Sequence, residues 1–460
     1  MSSKDQLLQK IRDVQILTRG EQLRLTACLS IPAMLSQLVT IMMEYIDASM
    51  VGQLGARASA SIGLVSTTSW LFGGLCHSVA VGFYVQVAHQ IGANRFAEAR
   101  HILRQSLIFT LIFALLLASI GVGIAPFLPE WLGGADDIRE DASIYFGIFA
   151  SILPFMMLMA LSTGMLRCSG NIKVPSIVNV VACLLDVVFN YIFIFRLGLG
   201  VKGAAIGTAL AYGTCALYAT YYLLTRSKIL RLTQDSGTYR PQTRTVRKWW
   251  HIAWPMGMEH FIMCGAQITS TVIIAPLGTI AIAANAFGII VESLCYMPGH
   301  GVADAATTLV GQSLGAGRPR LARSFAHITV GTGIVVMTLM GVLMFAFAPL
   351  VMSFMTPDAT VQTLTAQVLR IEAFAEPMYA ASIVCYGVFV GAGDTLVPCG
   401  MNLASIWAVR ISLALLFTHV LGYGLVGYWM AMALELCFRG VIFLCRLHGS
   451  SWQQKLNLKG

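Results

Sequence analysis

The sequence predicts an all-α polytopic membrane protein with twelve transmembrane helices arranged as two parallel six-helix repeats. Three observations predict it. The chain has 460 residues, of which 57% are hydrophobic and 11% charged, whereas soluble domains carry about 25% charged residues. Twelve apolar runs each reach the roughly 20 residues that a span needs. Four prolines of the first half, Pro32, Pro126, Pro154 and Pro175, recur 223 residues on as Pro255, Pro349, Pro377 and Pro398. No polar stretch approaches the roughly 50 residues of a small domain, which excludes a large soluble catalytic domain. The same composition excludes disorder and a nucleic-acid partner.

The elements follow in order. Residues 1–24 are polar and carry Lys4, Lys10, Arg12, Arg19 and Arg24. The apolar run after them, 25–48, is too long for a signal-peptide core, so the first helix is expected to be retained. Spans are expected at 59–87 and 103–126, separated by the turn Ile91-Gly-Ala-Asn-Arg95. An acidic connection with Glu130, Asp136, Asp137, Glu140 and Asp141 leads to spans at 142–166, 174–196 and 202–225. The segment 226–248 is strongly basic and is expected to link two lobes, 1–225 and 249–460. In the second lobe the runs are 249–276, 280–308, 324–349, 366–390, 398–421 and 425–447.

The net charge of +9 follows membrane topology. Only Arg57, Arg139, Arg196, Lys202 and Arg370 fall on one set of alternating connections, while the basic 226–248 segment and both termini fall on the other. The positive-inside rule therefore places both termini in the cytoplasm, here of a cytoplasmic (inner) membrane. The eleven cysteines lie almost wholly in apolar runs without CxxC spacing, which argues for small buried residues and against a disulfide framework.

The repeat extends beyond proline: Gly55/Gly278, Gly92/Gly315, Gly164/Gly387, Gly170/Gly393 and Asn179/Asn402 share its offset. Because six helices is an even number, the two copies have the same orientation, related by a pseudo-two-fold axis along the membrane normal. Two such bundles suit a transporter, since rocking them exposes a central cavity to alternate sides.

Ionisable groups at membrane depth cost roughly 2.5–3.5 kcal/mol on insertion scales, so the few present are the functional candidates. Glu44 and Asp47, three apart on the first span, share a helical face. They suit a proton or Na⁺ site, or else cap a helix end near water. On the fifth span Asn179, Asp186 and Asn190 share a face. This hard-oxygen set suits H⁺ or Na⁺, and the alternative is an inter-helix hydrogen-bond network. Asp186 has Val409 as its repeat counterpart, so the lobes differ chemically and the ion site is expected in the first. The second lobe holds Glu259, Gln267, Glu292, Glu372, Glu376, Arg410 and Glu435. Arg410 needs an acidic partner, as a structural salt bridge. Glu259 and Glu376 serve either that lock or a substrate cavity attracting cations, with Gln267 and Met263 beside them. Methionines such as Met263 furnish an adaptable apolar wall or ordinary packing.

Several segments carry a resemblance: Asp47-Ala-Ser-Met-Val-Gly-Gln-Leu-Gly55, Gln90-Ile-Gly-Ala-Asn94 with its repeat Gln312-Ser-Leu-Gly-Ala-Gly317, Arg167-Cys-Ser-Gly-Asn171 with Pro175, and Gly200-Val-Lys-Gly-Ala-Ala-Ile-Gly-Thr208. In order, spacing and duplication they resemble multidrug and toxic compound extrusion (MATE) transporters of prokaryotic type, over essentially the whole chain. The resemblance implies a V-shaped pair of lobes and export of organic, often cationic, compounds driven by H⁺ or Na⁺ entry, with no enzyme activity and no cofactor. It also implies a first-lobe cation site, a Na⁺ site where Na⁺ is the coupling ion, at Asp47, Asp186, Asn190 and Thr208. The family's usual Asn-then-Asp order on the fifth helix stands here as Asp186 then Asn190. The acid that another branch carries on the seventh helix aligns with Met263, with Glu259 one turn earlier. The expected partners are small organic substrates and the bilayer, and the protein is expected to be a monomer. The competing readings are a lipid-linked sugar flippase, which would want a more cationic cavity, and a polytopic membrane enzyme, for which only Asp136-Asp137 offers a motif.

Overall fold

The computed structural model describes residues 3–454, and these form α-helices and short turns with no β-strand among the described residues. In the first half these are α1 (Ser3–Arg12), α2 (Arg19–Gly52), α3 (Ala56–Gly92), α4 (Phe96–Ile124), α5 (Leu128–Trp131), α6 (Asp136–Ser151), α7 (Leu153–Cys168), α8 (Lys173–Tyr191) and α9 (Gly200–Tyr221). The second half has α10 (Thr243–Ile274), α11 (Thr279–Gly315), α12 (Pro319–Met355), α13 (Ala359–Ala373), α14 (Glu376–Gly391), α15 (Leu396–Ala404), α16 (Ser412–Leu415) and α17 (Gly424–His448). Eight stretches are long and apolar enough to cross a membrane, and two bent pairs bring the number to ten. With α9 and α17, of 22 and 25 residues, the twelve expected spans are all helical. The ends of the expected lobes, 1–2 and 455–460, lie outside the described residues.

The duplicated residues do the same work in both copies. Gly55 and Gly278 precede α3 and α11 with φ of 109° and 99°, a conformation that a side chain strains and glycine does not. Pro154 and Pro377 stand at the second position of α7 and α14, where a missing N–H breaks no intrahelical bond. Each therefore opens a new helix. The expected spans 142–166 and 366–390 are in consequence bent pairs, α6 with α7 at 45° and α13 with α14 at 59°. The fifth span of each copy widens into π-helical turns, at Ile192–Arg196 after α8 and at Ser405–Ile411 and Leu416–Val420 around α16.

Two compact units result, Val39–His260 and Met1–Leu38 together with Phe261–Gly460. The bounds of these units fall within α2 and α10, so that residues 19–38 are grouped with the second-half helices and residues 243–260 with the first-half helices. Within Val39–His260, α10 is anchored by Trp249, whose Nε1 donates to the Val79 carbonyl at 3.1 Å. Its indole occupies the space over Gly82, where a Cβ would lie 2.4 Å from the ring. The 226–248 segment is strapped to α4 by Asp235, which pairs with Arg100 at 2.7 Å and Arg104 at 2.5 Å. Those cations hold its carboxyl below the usual range, the hydrogen bond from Arg104 foremost. In the other unit α2 crosses α11 at Gly301, where a Cβ would lie 2.5 Å from the backbone nitrogen of Met34. Ser324 Oγ donates to Gln22 Oε1 at 2.5 Å. The core there is built around fully buried Trp429, whose ring lies against Gly288 and whose Nε1 donates to Asn285 Oδ1 at 3.0 Å.

Candidate functional site

Within Val39–His260, three helices bring four of the expected cation-site residues together. Asp186 and Asn190 are four apart on α8 and so face the same way. Asp47 arrives from α2 and Thr208 from α9. Asn190 Nδ2 donates to Asp47 Oδ1 at 2.9 Å and to Asp186 Oδ2 at 3.3 Å, so one amide bridges two carboxyl groups. The carboxyl groups of Asp186 and Asp47 and the Thr208 hydroxyl lie near enough to act on one another electrostatically. Asp186 and Asn190 are fully buried, while Asp47 and Thr208 are half-buried.

The approach of α8 to α9 depends on Gly207, the residue before Thr208. A Cβ there would sit 2.0 Å from Asn190 Oδ1 and 2.9 Å from the Asn190 backbone nitrogen. Asp186 Oδ1 and Asn190 Oδ1 are both buried without a hydrogen-bond donor, and each such acceptor costs about 1–3 kcal/mol if left unsatisfied. The charges acting on Asp47 are those of Asp186 and Glu44, with no Lys or Arg among them. Two carboxyl groups bridged by one amide without a counter-charge favour a cation between them, either a shared proton or a metal ion. Hard oxygens from two carboxyls, an amide and a hydroxyl fit H⁺ or Na⁺.

Glu44 acts electrostatically on Asp47, but its side chain is exposed. Asn179 lies seven residues before Asp186, about 10 Å along the axis, and is half-buried with partners of its own. Sequence reading missed Tyr145 of α6 and Tyr212 of α9, which lie within electrostatic reach of both aspartates. Tyr212 stands one turn after Thr208, a spacing that could have exposed it. Nothing in the sequence near Tyr145 marks it.

The expected substrate-cavity residues are divided. Glu259 belongs to Val39–His260, whereas Met263, Gln267 and Glu376 belong to the other unit. Gln267 is exposed and Met263 half-buried, but Glu376 is fully buried against Gly341 and lines no open surface. It falls instead in a buried acidic group with Glu292 of α11 and Glu372 of α13. Neither Glu372 nor Glu376 has a hydrogen-bond partner on its carboxyl oxygens. Beside them Arg410 pairs with Glu435 at 2.6 Å and Arg439 with the same residue at 3.0 Å. Ser405 Oγ adds a bond to Glu435 Oε1 at 2.5 Å. Ser405 and Arg410 are five apart, and the π-helical turn between them, with its i→i+5 bonding, brings both to one carboxylate. Glu435 is wholly buried, and its ionic partners make this a satisfied lock.

A family model described as MatE matches residues 32–192 and 255–416, one match in each half. The chain is 25% identical over 435 residues to a probable multidrug resistance protein NorM of Thermotoga maritima, covering 93% of this chain and 92% of that one. It is 26% identical to a protein of the same description from Idiomarina loihiensis, covering 90% and 92%. Among solved structures it is similar to the outward-facing conformation of a multidrug resistance MATE family transporter of the MOP superfamily. There the TM-score is 0.89 at 20% identity, with 96% of this chain and 98% of that one covered. A Pyrococcus furiosus MOP superfamily transporter, reported with a binding pocket of reversed polarity, superposes with a TM-score of 0.88 at 19% identity, over 96% and 97% of the chains.

Proposed function

The chain belongs to the MatE family, and from that premise we propose that it is a multidrug efflux antiporter. It exports small organic, often cationic, compounds by alternating access against entry of H⁺ or Na⁺. The support is the bridge from Asn190 to Asp47 and Asp186, with two buried acceptor oxygens still unspent. Asp47, Asp186, Asn190 and Thr208 bind the coupling cation, with Glu44 as an approach charge. Asp47 is carried by the same continuous α2 whose opening segment, through Leu38, packs in the other unit. A cation drawn between Asp47 and Asp186 therefore acts on a helix that belongs to both units. Coupling requires that cation and drug favour different states of that helix. Glu259, Gln267 and Met263 serve the drug path, and the protein works as a monomer in a cytoplasmic membrane with both termini cytoplasmic.

The test is export of a fluorescent organic cation from proteoliposomes under separately imposed Na⁺ and H⁺ gradients, with wild type and Asp47→Asn compared. Flux driven by one gradient and abolished in the folded variant is the expected result, and it names the ion. Undiminished flux through Asp47→Asn would remove the aspartate from the coupling mechanism. No flux under either gradient from folded wild type would transfer the assay to lipid-linked substrates.

A further inference from the structure

In the unit containing Phe261–Gly460, α12, α13 and α17 enclose an open groove of about 870 Å³ that the cation site does not use. Its floor is apolar, with Pro349 from α12, Ile371 from α13, Phe374 just after α13, and Ala433 and Leu434 from α17. Phe374 is 75% exposed and Leu434 50%, in helices that are read as crossing the bilayer. Along the α13 side runs a polar line, Thr363, Gln367 and Arg370, spaced three and four apart and therefore on one face. Arg370 lies four residues into the expected span 366–390, about 6 Å from its start, at the level where lipid headgroups meet the hydrocarbon core. A guanidinium exposed at that level is placed to meet a lipid phosphate.

Arg370 is also held in place. Its Nε donates to the Phe345 carbonyl at 3.2 Å and its Cζ lies 5.3 Å from the Phe345 ring centroid. Among the described residues no hydrogen bond is made by its terminal nitrogens, the pair that would engage a phosphate as a fork. The groove lining includes no Asp or Glu, so nothing there would hold the ammonium of a zwitterionic headgroup.

We propose that this groove binds an anionic glycerophospholipid, its phosphate on Arg370 and an acyl chain along Phe374, Ile371 and Leu434. The polar line Thr363, Gln367 and Arg370 faces the headgroup, and the apolar floor receives the chain. Binding there braces α13 against α12 and α17, on the segment that carries Glu372.

The full chain, purified in detergent, is titrated with dioleoyl phosphatidylglycerol or dioleoyl phosphatidylcholine and the retained lipid is counted by native mass spectrometry. Wild type is expected to retain the anionic lipid preferentially. Arg370→Gln should weaken that retention about tenfold, the loss of one charged hydrogen-bonded contact, while Arg370→Lys keeps most of it. Ala433→Trp, which fills the floor and keeps the charge, should weaken it too. Equal retention of the two lipids by wild type, or unchanged preference in folded Arg370→Gln and Ala433→Trp, would overturn the proposal. So would displacement of the bound lipid by inorganic phosphate alone, since the chain would then contribute nothing.

Discussion

Replacing Gly207 by alanine tests the cation site through its packing and leaves every polar group in place. The new methyl would lie 2.0 Å from Asn190 Oδ1, where ordinary contact begins near 3.4 Å. Asn190 cannot simply turn aside, because its Nδ2 is engaged by Asp47 and Asp186, and its backbone nitrogen, 2.9 Å away, is also too close. Either α8 and α9 separate or the amide swings out and surrenders its bonds to two carboxyls. Overpacking alone costs about 1–3 kcal/mol, and each lost hydrogen bond to a charged group about 1.5–3 kcal/mol. A loss of about 3 kcal/mol is expected, seen as a fall of several degrees in thermal unfolding midpoint, with ion-driven export lost in parallel. Gly213→Ala on the same helix is the control, since a Cβ there meets nothing within 4 Å and the helix gains about 0.8–1 kcal/mol of propensity. Adding Asn190→Ala to Gly207→Ala should recover part of the penalty, because the residues are in contact. Strict additivity in that cycle, or a Gly207→Ala protein with wild-type midpoint and export, would refute the packing argument.

Three further outcomes follow from the same geometry. Glu435→Gln leaves Arg410 and Arg439 facing a neutral amide in a buried setting, and should destabilise the protein by about 3–5 kcal/mol; thermal unfolding with the cation site intact reads it out, and an unchanged midpoint would deny that the lock stabilises. Asp235 is held below its ordinary value by Arg104 and Arg100, so its contribution is present above the unfolded carboxylate range and is lost as pH falls through the lowered value. Limited proteolysis of the 226–248 segment should accordingly accelerate at acid pH in wild type, and be fast at neutral pH and less pH-dependent in Asp235→Asn. Asp47→Asn should keep the wild-type unfolding midpoint or exceed it, since it removes one of two adjoining carboxyl charges, while abolishing gradient-driven export.

What could be read from the sequence, and what could not, divides along a physical line. Spans were legible because a bilayer forces every backbone group into internal bonds and therefore demands long apolar helices. The bends at Pro154 and Pro377 escaped hydropathy because apolar residues continue through them; the signal was the duplicated proline itself. The unit bounds within α2 and α10 are invisible to hydropathy too, since each helix is continuous and apolar across that point. That point nevertheless obeys the repeat: the boundaries after Leu38 and after His260 are 222 residues apart, within one residue of the 223-residue offset that relates Pro32 to Pro255. Exchange of the opening segment is thus a property of the six-helix unit that was duplicated.

The site behaves in the opposite way. At the repeat offset Asp47 faces Ser270, Asp186 faces Val409, Glu372 faces Phe149 and Glu376 faces Leu153. None of the buried acids has an acidic counterpart, although Gly55, Gly164, Gly170 and their partners are kept in both copies. The glycines are fixed by backbone geometry, and both copies need the same backbone; the acids are fixed by charge, and a second copy of each would bury a second uncompensated carboxylate at several kcal/mol. Ionisable residues at membrane depth could therefore be found singly, by their cost, but the company they keep could not. Asp186 and Asn190 share α8 and were paired by helical spacing alone. Tyr145 and the role of Gly207 depend on how α6 and α9 approach α8, which no periodicity along one helix encodes. A scaffold held by repeated glycines and prolines therefore bends at matching points in both copies, while the charges it carries occur once and make the two units chemically different.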